Sequence, residues 1–383
     1  MKLFGWKGAA AAPRPVLSRA YAIGGPALGE WPSNYEAQVR AAVLANPVAQ
    51  RAVRLVSEAA GGAAVVASGA SAADNALALD MVRHASAGQG LVETLALHLL
   101  LHGNGFVQIV PDAEGEPTEL FALRPERMSV DVNANGWPVA YHYRVRDHLT
   151  RLVAEDGRGR TAVIHLKAIN PLDDHMGLGC IGAASGPVAI HNAATTWNKA
   201  LLDNMARPSG ALVYDSGKDG ATLSAEQFAR LKAEMEAAFA GAINAGKPML
   251  LEGGLKWQSL SMSPAEMDFV ALKASAAREI ALAFGVPPLM LGLPGDNTYA
   301  NYREANKALW RQTVLPLMAK ILGGIAQGLR PAMPGLELTV DLDRVPELAD
   351  ERTALWERVS GADFLSAEEK RAMLGIGPQG EAL

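Results

Sequence analysis

The chain has 383 residues, of which 49% are hydrophobic and 20% charged, with a formal net charge of -5. This composition is globular rather than disordered, and the length suits two or three domains. The acidic balance excludes global attraction to phosphates, the single cysteine, Cys180, excludes an intrachain disulfide or cysteine-rich metal site, and no uninterrupted apolar run is long enough to span a bilayer.

In chain order, residues 1–30 read as a flexible arm. Lys7, Pro13 and Arg14 interrupt any signal-peptide core, so the chain reads as made and kept in a reducing cytoplasm. From Trp31 to Asn170 the pattern is mixed α/β. NPVAQRAVRLVSEAAGG predicts a helix with Asn46 as N-cap, Pro47 at the first position and Gly61 as its stop. LVETLALHLLLHGNG predicts a second, ending in Gly103-Asn104-Gly105. The runs FVQIV, RMSVDV, VAYHYRV and AVIHL predict strands, with a hairpin turn at Asn133–Gly136. Their partial alternation predicts a sheet with one buried face.

From Pro187 the pattern turns helical. PVAIHNAATTWNKALLDNMARPSG predicts a helix that Pro208 must end, and SAEQFARLKAEMEAAFAG a second, capped by Ser224 and Gln227 and closed by Gly241. The latter is charged at Glu226, Arg230, Lys232, Glu234 and Glu236, a pattern equally suited to a solvated face and to pairing between copies. A short β section, KPMLLEGGLKWQSLSM, follows. A third helix is predicted with Ser263 as N-cap, Pro264 at its first position and Glu266 in the first turn, stopped by Gly285-Val286-Pro287-Pro288. Its small-residue seam, Val270, Ala274, Ala277 and Ala281 with Phe284 at the end, fits packing in its own core or against another copy. After the polar run Gly295-Asp296-Asn297-Thr298-Tyr299, a long helical pattern contains Pro316, which predicts a kink. The tail holds a strand pattern, LELTVDLDRV, then two short helices, the last capped by Ser366 and Glu369 and stopped near Gly375.

Candidate chemistry is sparse. GLGCIG, Gly177 to Gly182, fits the spacing of a dinucleotide-binding turn, but that turn must directly follow a strand, and Asn170–His175 intervene after the VIHL run. His98 and His102 stand four apart on a predicted helix, a metal-ligand spacing without the glutamate of a zinc protease. Asp173-Asp174-His175 has acid–base residues in a loop. There is no GxxxxGK[ST] and no GxSxG, and Cys180 has no neighbour to activate it. A dinucleotide-binding or hydrolytic enzyme built on Gly177–Gly182 is the alternative these motifs leave.

The order of the pieces resembles the portal proteins of tailed bacteriophages, in the branch shared with gene transfer agents. The carriers are NPVAQRAVRLVSEAAGG, LHGNGFVQIV with Phe106 at an aromatic position, LFALRPERMSV, VIHLKAINPLDDHMGLGCIG and, most specifically, REIALAFGVPPLMLGLPGDNTYANYREANKALWRQTVLPLM. In the last, Ile280, Ala281, Phe284, Gly285, Val286, Pro287, Pro288, Thr298, Tyr299, Asn301, Thr313 and Pro316 match the family pattern. DERTALWERVSGADFLSAEEKRAMLGIGP is similar to the closing segment, with Glu368-Glu369-Lys370-Arg371 departing from its usual form.

The resemblance implies an α+β portal fold with an α/β wing at residues 31–180, a first stem helix at 181–207, a clip at 208–263 and a second stem helix at 264–286. A channel loop at 287–300, a long kinked wing helix at 301–330 and a C-terminal wing and crown segment at 331–383 complete it. It implies a ring, usually a dodecamer, at one capsid vertex of a virion or gene-transfer-agent particle, with no catalysis, no cofactor and no membrane. The implied partners are further copies of the chain, major capsid protein, head–tail adaptor, terminase large subunit and double-stranded DNA in transit. The channel-loop residues are then Leu293, Pro294, Gly295, Asp296, Asn297, Thr298, Tyr299 and Asn301, with Phe284, Gly285, Val286, Pro287, Pro288 and Pro316 shaping the structure around them. A polar loop without cations suits sliding DNA, because a cationic ring would hold phosphates. A head–tail connector component of another kind is the remaining structural alternative.

Overall fold

The structure, a computed structural model, describes Leu17, Pro32 and residues 34–86, 88–203, 210–214, 224–239, 255–259, 268–293 and 299–375. Two compact units divide the chain, Met1–Ser185 with Ala281–Leu383, and Gly186–Ile280. Apart from Leu17, the arm at 1–30 lies outside the described residues.

In the first unit, α1 (Tyr35–Val39) runs into a π-helical turn (Arg40–Leu44) and then α2 (Pro47–Gly62). Asn46 caps α2 as its sequence predicts, its Oδ1 accepting from the Val48 and Ala49 N–H groups. β1 (Val65–Ser68), α3 (Ala72–Arg83), the bridge pair β2 (Ala85–Ser86) and β3 (Gln89–Gly90), and α4 (Leu91–Leu101) follow. Next come β4 (Asn104–Pro111), β5 (Pro117–Leu123), β6 (Met128–Val132), β7 (Pro138–Val145), β8 (His148–Val153) and β9 (Val163–Lys167).

The single sheet expected from the strand runs is instead two antiparallel three-stranded sheets, ordered β5-β4-β9 and β6-β7-β8. Phe106, Leu123, Met128, Tyr141, Leu152 and Val163, one from each of these six strands, form one buried cluster. The division has a local cause: a 3-10 turn at Pro125–Arg127 separates β5 from β6. The hairpin at Asn133–Gly136 joins β6 to β7, with Asn133 Oδ1 accepting from the Asn135 and Trp137 N–H groups.

α5 (Ile181–Asp203) begins before Pro187 rather than at it, so this helix goes without the hydrogen bond a residue 187 N–H would make. The boundary between units falls beside this point, after Ser185. In the second unit, β10 (Gly210–Tyr214) pairs antiparallel with β11 (Leu255–Ser259), and α6 (Ala225–Phe239) starts from the predicted Ser224–Gln227 capping box. α7 spans Phe269–Ala283. Asp268 has φ +42, which interrupts any helix through it, and its carboxylate accepts from the Ala271 N–H. The predicted cap at Ser263 and Pro264 lies outside the described residues. Within this unit the Trp197 ring of α5 stacks on Phe269 of α7, centroids 4.3 Å apart.

Back in the first unit, α8 (Tyr299–Leu309), a π-helical turn (Trp310–Val314) and α9 (Leu315–Leu329) form one helical rod, roughly 45 Å long at about 1.5 Å per residue. The wide turn immediately precedes Pro316. Its ring would otherwise meet the carbonyl four residues back, and a π turn opens that spacing. Met318, Ile321, Leu322, Ile325 and Leu329 are buried along α9, each burial contributing about 2 kcal/mol before entropy. Added Cβ atoms at Gly324 and Gly328 would stand 2.1 and 2.4 Å from Leu166 and Ile164, so α9 lies unusually close to β9. β12 (Glu337–Val340) pairs with β1, and α10 (Ala349–Ser360) and α11 (Ala367–Leu374) end the described chain. The Ser366–Glu369 capping box and a left-handed Gly375 bound α11 as predicted.

Candidate functional site

The segment after α7 is a sharp elbow. Phe284 and Val286 point into the core at 1% and 2% exposure, flanking Gly285 at φ +66. The Gly285 N–H donates to Leu282 O and the Val286 N–H to Ala281 O, closing the helix with a left-handed cap. Thr313 Oγ1, from the π turn, donates to Gly285 O at 2.6 Å. A Cβ on residue 285 would stand 2.8 Å from that hydroxyl oxygen, so both backbone conformation and space require glycine.

Pro287 then leads into a 3-10 turn, Pro288–Leu291, which Gly292 ends at φ +70. Leu289, Met290, Leu291 and Leu293 are half-buried. Pro294, Gly295, Asp296, Asn297 and Thr298 lie outside the described residues. Tyr299 opens α8, and Asn301 is exposed two residues on. The structure thus joins Gly285 to the helix carrying Pro316 through Thr313. In the sequence Thr313 stands out only by its motif spacing from Pro316; its partner, 28 residues away, leaves no local trace.

The three cations of α8 and its π turn are all ion-paired. Arg303 meets Asp350 at 3.1 Å, Lys307 meets Glu304 at 3.2 Å, and Arg311 meets Glu351. Exposed pairs such as Arg303–Asp350 add roughly 0–1 kcal/mol of stability. Their larger effect is to offset the positive charge of the helix that follows the loop.

The glycine run is used differently from a phosphate-binding turn. A Cβ on Gly177 would lie 2.0 Å from Gly103 O, and one on Gly179 2.2 Å from Leu101 O. The chain's own backbone fills the space a phosphate would need, which overturns the dinucleotide reading of Gly177–Gly182. Asn104, fully buried, fastens this contact. Its Oδ1 accepts from the Gly177 N–H at 2.7 Å and from His165 Nε2 at 3.0 Å. Its Nδ2 lies 3.1 Å from Gly177 O and 3.0 Å from His102 Nδ1.

No cluster of three potential metal ligands, His98 and His102 included, occurs among the described residues. Burial first, then the neighbouring His102 and Arg124, holds His98 down at about 4, and its Nδ1 is enclosed without a hydrogen-bond partner. His102 packs edge-on against Tyr35, 4.8 Å between centroids, and burial lowers its pKa as well. Burial, with Lys167 adding, holds His165 at about 3. In the Asp173-Asp174-His175 loop, Asp173 Oδ1 accepts from the His175 and Met176 N–H groups, and His175 Nε2 lies 2.6 Å from Gly136 O. Burial pushes the Cys180 thiol up, away from a reactive thiolate. No helix among the described residues is long and apolar enough to cross a membrane.

Residues 47–375 match the family described as phage portal protein, and the chain belongs to that family. It is 46% identical to a chain in the neck of a native gene transfer agent (GTA) particle computed with C12 symmetry, with 91% of this chain and 94% of that one covered and a TM-score of 0.68. It is 41% identical to a Rickettsia felis protein over 302 residues, 76% of this chain and 75% of that protein. An HK97 family phage portal protein from Corynebacterium diphtheriae, 18% identical, shares the fold at a TM-score of 0.58, over 83% of this chain and 100% of that one.

Proposed function

We propose that this chain is the portal subunit of a phage or gene-transfer-agent particle, forming a homo-oligomeric ring at one capsid vertex through which double-stranded DNA is packaged and ejected. The observation that carries this reading is the 46% identity, over nearly the whole of both chains, to a subunit of a GTA particle neck computed with C12 symmetry. It supports a dodecamer made in the bacterial cytoplasm and built into the particle.

In this reading residues 31–180 with 301–330 form the wing, 181–207 and 264–286 the stem, 208–263 the clip and 331–383 the closing crown segment. The ring is a conduit without catalysis or cofactor. The terminase large subunit supplies ATP hydrolysis and docks on the clip, while the major capsid protein and the head–tail adaptor hold the ring in place. Residues Leu293 to Asn301 line the channel. The elbow at Gly285 and the helix that begins at Tyr299 hold the two ends of this loop. Ion-paired cations on α8 support a lining that does not grip phosphates.

Deleting Leu293–Thr298 tests the loop's role. Particles carrying the deletion are expected to assemble with rings but to retain less than a tenth of the nuclease-protected DNA. Full packaging and retention would remove the loop from the mechanism. Light scattering and electron microscopy of the purified chain test the ring itself, and a stable small dimer would overturn it.

A further inference from the structure

Two exposed surfaces of the first unit lie at opposite ends of one strand. The first is the loop between β9 and α5. Ile169 and Leu172 are 86% and 74% exposed there, yet the loop that carries them is internally braced. Asn170 Oδ1 accepts from the Leu172 N–H at 3.0 Å, and its Nδ2 donates to Met176 O at 2.8 Å. Asp173 ties the next turn and buried His175 anchors it. Two aliphatic side chains are therefore held in water on a braced loop.

The second is a cavity of about 610 Å³ lined by Ile109, Pro111, Val153, Leu329 and Pro331. Arg158 and Arg160 also line it. Gly115 O and Glu116 hold the Arg160 guanidinium, whereas the exposed Arg158 side chain is in no hydrogen bond or ion pair among the described residues. The register separates the two surfaces. Asn104 of β4 pairs with Lys167, and the Ala168 N–H donates to Gly103 O, so the loop leaves at the start of β4. The cavity lies at the other end, where the Ile109 N–H donates to Ala162 O. The length of β4 puts them roughly 20–25 Å apart.

We propose that the Ile169–Leu172 loop of one copy docks into this cavity on the next copy. The inference rests on the ring reading above. A closed ring is heterologous: each copy must present two different, complementary surfaces. Here a braced apolar knob and an apolar hole sit at opposite ends of one body. Asp174 is exposed on the knob loop, while Arg158 and Asp156 both line the cavity, so the fit rests on the apolar side chains rather than on net charge.

Cysteine cross-linking of assembled rings tests it. In a Cys180→Ser background, Leu172→Cys is combined with Ala332→Cys, the latter lining the cavity. Mild oxidation is expected to give a ladder of covalent multimers on denaturing gels, whereas either single cysteine alone gives none. Independently, Ile169→Asp with Leu172→Asp, both at exposed positions, is expected to weaken ring assembly at least tenfold by light scattering with an unchanged melting temperature. Rings that form normally without the ladder, and still form with both aspartates, would overturn the docking while leaving the ring intact; a capsid or adaptor segment in the cavity would give this pattern. A wild-type chain that never associates, alone or in particles, would overturn the ring reading and the docking together.

Discussion

At the scale of single residues, Asn104 does more than any group singled out for chemistry. One buried amide satisfies the backbone of Gly177 and two imidazoles, and so joins the start of β4 to the segment that opens α5. Asn104→Ala should cost about 1–3 kcal/mol, because it removes the acceptor of the Gly177 N–H and further contacts. Asn104→Asp, which sets a carboxylate oxygen against Gly177 O and His102 O in a fully buried site, should cost at least as much; urea titration of both variants checks this order. The buried histidines give a pH signature. His165 and His98 titrate at about 3 and about 4 in the folded chain, below the ordinary imidazole value near 6.5, chiefly through burial. As pH falls below about 6.5 the unfolded chain takes up protons first, so their contribution is complete above that pH and is lost progressively down to about pH 4 and 3. The melting temperature should rise from pH 4 to 6.5, and His165→Gln should flatten the rise; an equal slope in the variant would exclude His165 as its source. Local features of this kind differ in legibility. The Asn46 and Ser366 caps were readable because both partners lie within three residues. The Asn104–Gly177 contact was not, because the partners are 73 residues apart and glycine density was its only trace.

At the scale of elements, the elbow depends on one left-handed residue and one hydroxyl. Gly285→Ala should destabilise the first unit by about 1–3 kcal/mol, from strain at φ +66 and the close approach to Thr313. Thr313→Val should cost about 1 kcal/mol through the lost bond to Gly285 O. In the double variant the losses should not add, since both act on one contact, and a double-mutant cycle by denaturant unfolding measures that coupling. Full additivity would mean that the contact carries no weight. Helix stops were more legible than helix starts. Gly285 with Pro287 and Pro288 announces the end of α7, whereas the predicted start at Ser263-Pro264 lies outside the described residues. α5 starts before a proline that, by propensity, belongs at its first position. Packing of Ile181 and Ala184, both buried, outweighs that preference. At Pro316, where a kink is predicted, a π turn stands just before the proline.

At the scale of the molecule, the mixed helix-and-sheet character and the portal family were legible from the order of motifs along the chain. The split into two small three-stranded sheets was not, because alternation along a strand says which residues share a face and not which strand lies beside it. The two units predict two unfolding events. Calorimetry should resolve them. Ile321→Ala, in the core of the first unit, should move one transition by several degrees, and Trp197→Ala, which removes the stack on Phe269, should move only the other. A single transition shifted by both substitutions would mean that the units unfold as one. Because α5 leads into the second unit and α7 leads out of it, that unit is an insert fastened to the rest of the chain by two covalent tethers. A pull on the insert is therefore shared between two covalent connections, and neither tether has to carry the whole load.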